Sequence, residues 1–284
     1  MTIITVDITS DPVCPWCYMG KIRLDRAIAL YQKVYPGGRH DTFRIAWHPF
    51  YLEPDAPADT PGVLWAERHA QKLARHGNGE AETDAKSRHL RGQLAAKGRQ
   101  HGIEFSFGGK IGSTRDAHRL ISLAGCKEKE EKRDDEKNGG RDDDDVAEAG
   151  LQDQVVMQLF RDFFEGEADI TSRAMLADLA EKTGLGRHGE ILDLLESGEG
   201  GAEVDEEARW AREEGQMKGV PRFVVQGKHV IDGADDEQAF LEAFIKVKEE
   251  GETTGEERDP TSLVMGDDPG AAASCAPGAG AVCS

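Results

Sequence analysis

Cys14-Pro15-Trp16-Cys17 stands between an apolar, β-branched run and a long segment of helical spacing, and this placement leaves few folds open. Upstream, Ile3-Ile4-Thr5-Val6-Asp7-Ile8 reads as a strand, closed by the turn residues Thr9-Ser10-Asp11-Pro12. Downstream, Ile22, Ala27, Ile28, Leu30, Tyr31 and Val34 recur at helical spacing between Pro15 and Tyr35. Pro15 suits the first turn of that helix. Cys14 therefore precedes the helix, where unpaired backbone N–H groups and the positive end of the dipole stabilise a thiolate. It is the expected attacking sulfur and is expected to be exposed. Cys17, inside the first turn, is the expected resolving sulfur and the more buried of the two. A zinc knuckle is the other chemistry open to a CxxC, but zinc takes four ligands and no second CxxC or CxxH occurs. A redox pair is expected, and no metal.

The rest of the chain supplies a frame. Thr42-Phe43-Arg44-Ile45-Ala46-Trp47 alternates and reads as a second strand, parallel to the first because a helix connects them. Pro49, Pro54, Pro57 and Pro61 lead away from the sheet. Residues 63–102 read as polar and helical, followed by a Gly-rich loop (Gly108, Gly109, Gly112) and a short helix through Ala117 to Ile121. Residues 127–150 are almost wholly charged, a mixed stretch followed by Asp142-Asp143-Asp144-Asp145; they read as a disordered insertion, since such a tract has no apolar face to bury. Its acids lack the spaced pattern and glycine of a calcium loop. Helical patterns resume through Val155–Phe164, Met175–Ala180, about 190–196 and about 204–214. The chain then returns to β structure as Arg222-Phe223-Val224-Val225, a Gln226-Gly227 turn and His229-Val230-Ile231, a tight hairpin. A last helix runs from Glu237 to about Glu249. The order is β-α-β, a helical block, then β-β-α: an α/β fold with an inserted helical domain.

Composition narrows the partners. The 284 residues carry 35 Lys and Arg against 54 Asp and Glu, a formal net charge of −19. A chain so acidic is poorly suited to nucleic acid or to an anionic membrane surface. No apolar stretch is long enough to span a bilayer, and the start lacks the basic and apolar regions of a secretory leader. A cytoplasmic location is the expectation. Five cysteines, an odd number, fit a redox protein better than a disulfide-stapled scaffold.

The chain resembles the DsbA-like thioredoxin superfamily, and most closely its cytosolic FrnE-like branch. The residues that carry this are Cys14 to Lys21 (CPWCYMGK), Trp47 to Pro54 (WHPFYLEP), Asp116 to Leu120 (DAHRL), Leu159 to Gly166 (LFRDFFEG) and Gly219-Val220-Pro221 before Phe223-Val224-Val225. The resemblance extends from the N-terminus to about Val247. It implies a thioredoxin-like domain formed by residues 1–55 plus 204–250, an inserted helical domain at 56–203, and a flexible Cys-containing tail at 251–284. It also implies that Val220-Pro221 is a cis bond beside Cys14, its backbone pairing with an extended substrate. Catalysis would then rest on Cys14, Cys17 and Pro221, and substrate binding on Val220, Trp16 and Pro15. Ser113 stands where the family usually has Asn, and His118 reads as a structural histidine.

The implied activity is thiol–disulfide exchange with protein or small-thiol disulfides, with no bound cofactor and with glutathione as a candidate co-substrate. A glutathione-dependent transferase or isomerase of the kappa or hydroxychromene carboxylate type is the alternative; those enzymes use Ser where this chain has Cys14. A non-enzymatic holdase is a second alternative, and it leaves the dithiol without a task. The tail holds Cys275 and Cys283, separated by a Pro-Gly turn signal. The branch often has a C-terminal cysteine pair, so these two are expected to form an auxiliary redox pair that exchanges with Cys14 and Cys17, tethering raising their effective concentration.

Overall fold

The computed structural model describes residues 1–57, 60–74, 80–137, 150–234 and 236–253. Strand β1 (Ile3–Ser10) buries Ile4, Val6, Ile8 and Ser10 at every second position, the period a pleated strand imposes. Helix α1 (Pro15–Val34) follows, then β2 (Thr42–Pro49). These strands are parallel over their whole length, from Ile3 opposite Thr42 to Ser10 opposite Pro49. The hairpin of β5 (Arg222–Val225) and β6 (His229–Asp232) adds antiparallel to the other edge of β1, giving the order β2-β1-β5-β6. Its two-residue turn has both Gln226 (φ 53°) and Gly227 (φ 65°) in the left-handed region, the mirror-image turn whose twist matches that of the strands. β1 thus lies inside the sheet, and its C-terminal end delivers the Cys14 loop to the sheet's rim.

Between β2 and β5 the chain is helical. A two-residue ribbon of β3 (Val63–Leu64) and β4 (Lys110–Ile111) brackets α2 (Trp65–Ala74) and α3 (Glu80–Gln100). Then come α4 (Arg115–Lys137), α5 (Leu151–Phe164), α6 (Arg173–Lys182), α7 (His188–Ser197) and α8 (Gly201–Glu213), with α9 (Glu237–Thr253) after the sheet. Helices α1 and α9 pack through Tyr31 and Phe244, ring centroids 5.7 Å apart. Tyr18 on α1 stacks on Phe160 of α5 at 5.1 Å, and Trp47 of β2 meets the same ring edge-on at 6.1 Å. Sheet and inserted helices therefore share one continuous core.

Two expectations need correction. The short helix expected through Ile121 is 23 residues long, and residues 127–137 of the tract read as disordered continue it. Mixed charge is what permits this: Glu128 and Lys132 pair one turn apart at 2.6 Å, and Lys127 reaches the Leu185 carbonyl at 2.7 Å. Residues 138–149 lie outside the described residues. The ribbon of β3 and β4 was not expected, because two residues are too few to display a period. Among the described residues no helix is long and apolar enough to cross a membrane.

Candidate active site

The turn after β1 sets the site. The Cys14 N–H donates to the Asp11 carbonyl at 2.9 Å, and the Cys14 carbonyl accepts from Cys17 at 3.0 Å, so Cys14 is the N-cap of α1 with Pro15 at the first helical position. Its own side chain makes no capping bond, which leaves the sulfur for chemistry. The Cys14 thiol donates instead to the Val220 carbonyl at 3.6 Å, from a residue 206 positions away. The Val220–Pro221 bond is cis. The ring of Pro221 and that of Phe223 lie against Gly20, where a Cβ would stand 3.0 Å from Phe223 and push these rings back by a few tenths of an ångström.

Cys14 and Cys17 are both free thiols and in hydrogen-bonding contact. The expected exposure of Cys14 is corrected here: it is 3% exposed, against 1% for Cys17. Val220 covers it, a contact no local pattern reveals. Trp16, between them, is 37% exposed and forms the visible part of the site. Burial pushes the Cys17 thiol well above its usual range, and its contact with Cys14 adds to this. The nearby charge of Asp11 works the same way, against the backbone N–H of that residue.

Asp11 is the candidate site residue that sequence reasoning missed, since beside Pro12 it reads only as a turn former. It is 1% exposed. Its carboxyl accepts from the backbone N–H groups of Val13 (3.3 Å) and Leu52 (2.8 Å) and bonds Thr114, just ahead of α4. Burial outweighs those donors and raises it to about 7. His118 lies 4.0 Å away, equally buried, with one nitrogen bonded to the Phe50 backbone and Nε2 unpartnered among the described residues. Burial lowers it to about 3. Between those values both groups are neutral, so at this distance they are a polar pair and not a salt bridge. The signal that could have found them is an acid immediately before the dithiol loop together with the histidine of the Asp116–Leu120 motif.

Lys21, one turn beyond Cys17, is also buried, with its ammonium 2.9 Å from Asp153 and 2.5 Å from Asp25. Asp153 in turn accepts from Trp47 Nε1 at 3.0 Å, tying α1, α5 and β2 together behind the dithiol. The described residues hold no group of His, Cys, Asp and Glu that could bind a metal ion. Cys275 and Cys283 lie outside the described residues.

The model of the DSBA-like thioredoxin domain matches residues 5–136 and 146–245. The chain belongs to that family. The family match spans the sheet, the dithiol turn, the helical block and the Val220–Pro221 loop alike. No curated protein matches this DSBA-like chain closely enough in sequence to count as a relative. Among solved structures, a probable DsbA oxidoreductase from Streptomyces coelicolor is similar, with a TM-score of 0.63 and 23% identity over 92% of this chain and 94% of that one. A 2-hydroxychromene-2-carboxylate isomerase is similar at a TM-score of 0.57 and 16% identity, over 89% and 100%. A putative protein disulfide isomerase from Nitrosomonas europaea follows at 0.55 and 15%, over 87% and 98%. At these identities the likeness is one of fold.

Proposed function

We propose that this DSBA-like protein is a thiol–disulfide oxidoreductase that exchanges disulfides with protein or small-thiol substrates through Cys14 and Cys17. One observation carries the reading: two free thiols touch at the start of α1, one facing the Val220 carbonyl and the other near enough to buried Asp11 to feel its charge. In the reducing direction the Cys14 thiolate attacks one sulfur of the substrate. A bond forms between Cys14 and that sulfur as the substrate S–S bond breaks, and one substrate thiolate leaves. Cys17 then attacks the Cys14 sulfur, giving up its proton to Asp11, whose affinity near neutrality suits an acceptor. The second substrate thiolate leaves, and the departing thiolates take up the two protons. The substrate has gained two electrons and the protein holds a Cys14–Cys17 disulfide, which two glutathione thiols can return to the dithiol while forming a glutathione disulfide. The same steps in reverse oxidise a substrate.

Val220 and Pro221 offer backbone to an extended substrate, and Pro15 and Trp16 line the approach. The fold shared with the hydroxychromene carboxylate isomerase accommodates a glutathione-dependent isomerase, but that reading gives Cys17 no part. The test is turnover of a small disulfide and of a protein disulfide by single variants. Cys14→Ser is expected to abolish both, and Cys17→Ser to accumulate a mixed disulfide on Cys14, visible as the added mass of the substrate thiol. Turnover that survives Cys14→Ser would refute the proposal.

A further inference from the structure

Lys97 stands where an acidic chain has least reason to put a cation. It projects from the last turn of α3, and its ammonium lies 4.7 Å from the centroid of the Trp16 ring, over the residue between the two cysteines. The position is held from both sides. Just past the helix, His101 contacts Arg23 and Arg26 of α1 at 3.2–3.3 Å. Gly98 abuts Phe105, whose ring meets Tyr18 of α1 edge-on at 6.4 Å. Lys218, exposed, stands two residues before Val220 in the chain, and the Val220 carbonyl accepts the Cys14 thiol. Among the described residues neither lysine has a carboxylate within ion-pair distance, whereas Lys21, Lys72, Lys110, Lys132, Lys228 and Lys248 each have one. The net charge of −19 by itself would repel an anionic substrate, and the Lys97 ammonium over Trp16, the half-exposed residue of the dithiol turn, opposes that locally.

The geometry points to Lys97, assisted by Lys218, as a specificity determinant that favours disulfides carrying carboxylates close to the scissile bond. This inference rests on the exchange activity proposed above. A carboxylate two or three bonds beyond the attacked sulfur comes within several ångströms of the Lys97 ammonium while the Trp16 face packs against the intervening methylenes. At such a separation, in a partly solvated mouth, the attraction is worth a preference of about 3-fold, and it weakens with added salt.

Three disulfides of matched length serve as probes: 3,3′-dithiodipropionate (two negative charges), bis(2-hydroxyethyl) disulfide (neutral) and cystamine (two positive charges). The protein is expected to rank them by kcat/KM in that order. Lys97→Gln lowers the ratio of dianion to neutral about 3-fold, Lys97→Glu inverts it, and Lys97→Arg keeps it; Lys218→Gln lowers it further. A parallel arm needs no turnover: the rate of alkylation of Cys14 by iodoacetate relative to iodoacetamide, read at the Cys14 peptide in a Cys17→Ser background. Lys97→Gln is expected to lower that ratio as well. If both ratios are the same in wild type and Lys97→Gln while disulfides are turned over, the charge inference is wrong and exchange stands. If no disulfide is turned over but the alkylation ratio falls, exchange is wrong and the cationic mouth stands.

Discussion

Asp11 and His118 set opposite pH dependences on the fold, and the sign of each follows from burial. Asp11 holds its proton in the folded chain to about pH 7, whereas the unfolded chain releases it near 3.8. Between those values the native state binds the extra proton, so this group makes stability fall as pH rises, by about 1.4 kcal/mol per pH unit. His118 titrates at about 3 when folded against 6.5 unfolded, so its contribution is present above 6.5 and is lost as pH falls toward 3. From about pH 4 to 6.5 the two slopes cancel. Asp11→Asn removes the first alone, and urea unfolding at several pH values is expected to show stability rising with pH across that window by about 1.4 kcal/mol per unit relative to wild type. Equal slopes in the two proteins would mean that Asp11 is ionised throughout. The variant is also expected to slow resolution by Cys17, seen as a longer-lived mixed disulfide on Cys14. Both residues are visible in the sequence, yet their meeting is not, because it joins the end of β1 to the first turn of α4 across more than a hundred residues.

At the level of elements, Arg119 reinforces the end of α7, where Gly198 is the left-handed cap (φ 77°) and the Ser197 hydroxyl donates to the Leu194 carbonyl at 2.8 Å. From α4 its guanidinium donates to the carbonyls of Leu194 (2.6 Å) and Leu195 (3.0 Å) near the end of α7 and of Glu199 (2.7 Å) just beyond, while Asp116 neutralises it at 2.7 Å. A buried cation on the carbonyls of a helix C-terminus adds charge-assisted hydrogen bonds where the helix leaves acceptors open. Arg119→Ala is expected to cost about 3 kcal/mol, since it removes three charge-assisted hydrogen bonds and leaves the Leu195 carbonyl buried without this donor; a chemical denaturation midpoint measures this, and a loss below about 0.5 kcal/mol would show that water replaces the clamp. His48 ties β1, β2 and α8 in another way. Burial opposes its charge, but hydrogen bonds with Asp7 (3.2 Å) and Glu207 (2.6 Å) raise it to about 9. Its stabilising contribution is complete below pH 6.5 and lost as pH rises to about 9. More than a third of the side chain is exposed, so solvent screening keeps the contribution under about 1 kcal/mol. His48→Gln should therefore flatten the alkaline side of the stability profile slightly, and a slope unchanged between pH 7 and 9 would remove His48 from that role. Element order was legible because apolar period and turn residues are local signals. The length of α4 was not: its last turns carry no apolar stripe, and they hold through a charge pair and one lysine anchored on a neighbour.

Among the described residues one main core, with a small second cluster of Phe50, Ala211 and Met217 beside it, runs through both the sheet and the inserted block of helices that the sequence divides. Tyr18, Trp47 and Phe160 interlock α1, β2 and α5, and buried Lys21 bridges α1 to Asp153 on α5. The reduced protein is therefore expected to unfold in a single cooperative step, with the near-ultraviolet signal of its aromatics and the far-ultraviolet helix signal coinciding. Two separated transitions would show that the helical block melts by itself. Lys21→Ala is expected to lower the midpoint in both signals together, by about 3–5 kcal/mol in stability, because it leaves a carboxylate buried without its partner.

The sequence by itself determined the order of the four strands of the main sheet and of the helices joined to them, the hairpin turn at Gln226-Gly227, and the placing of a dithiol on the first turn of a helix. Those follow from periodicity, backbone preference and capping, which act over a few residues. Only the tertiary structure decided that Cys14 lies beneath the Val220 carbonyl, that Asp11 faces His118, and that Lys97 of a distant helix stands over Trp16. Each joins residues some eighty to two hundred positions apart, and such pairs leave no local pattern. They exist because a shared core brings their elements together, and burial then resets the acidity of what it encloses.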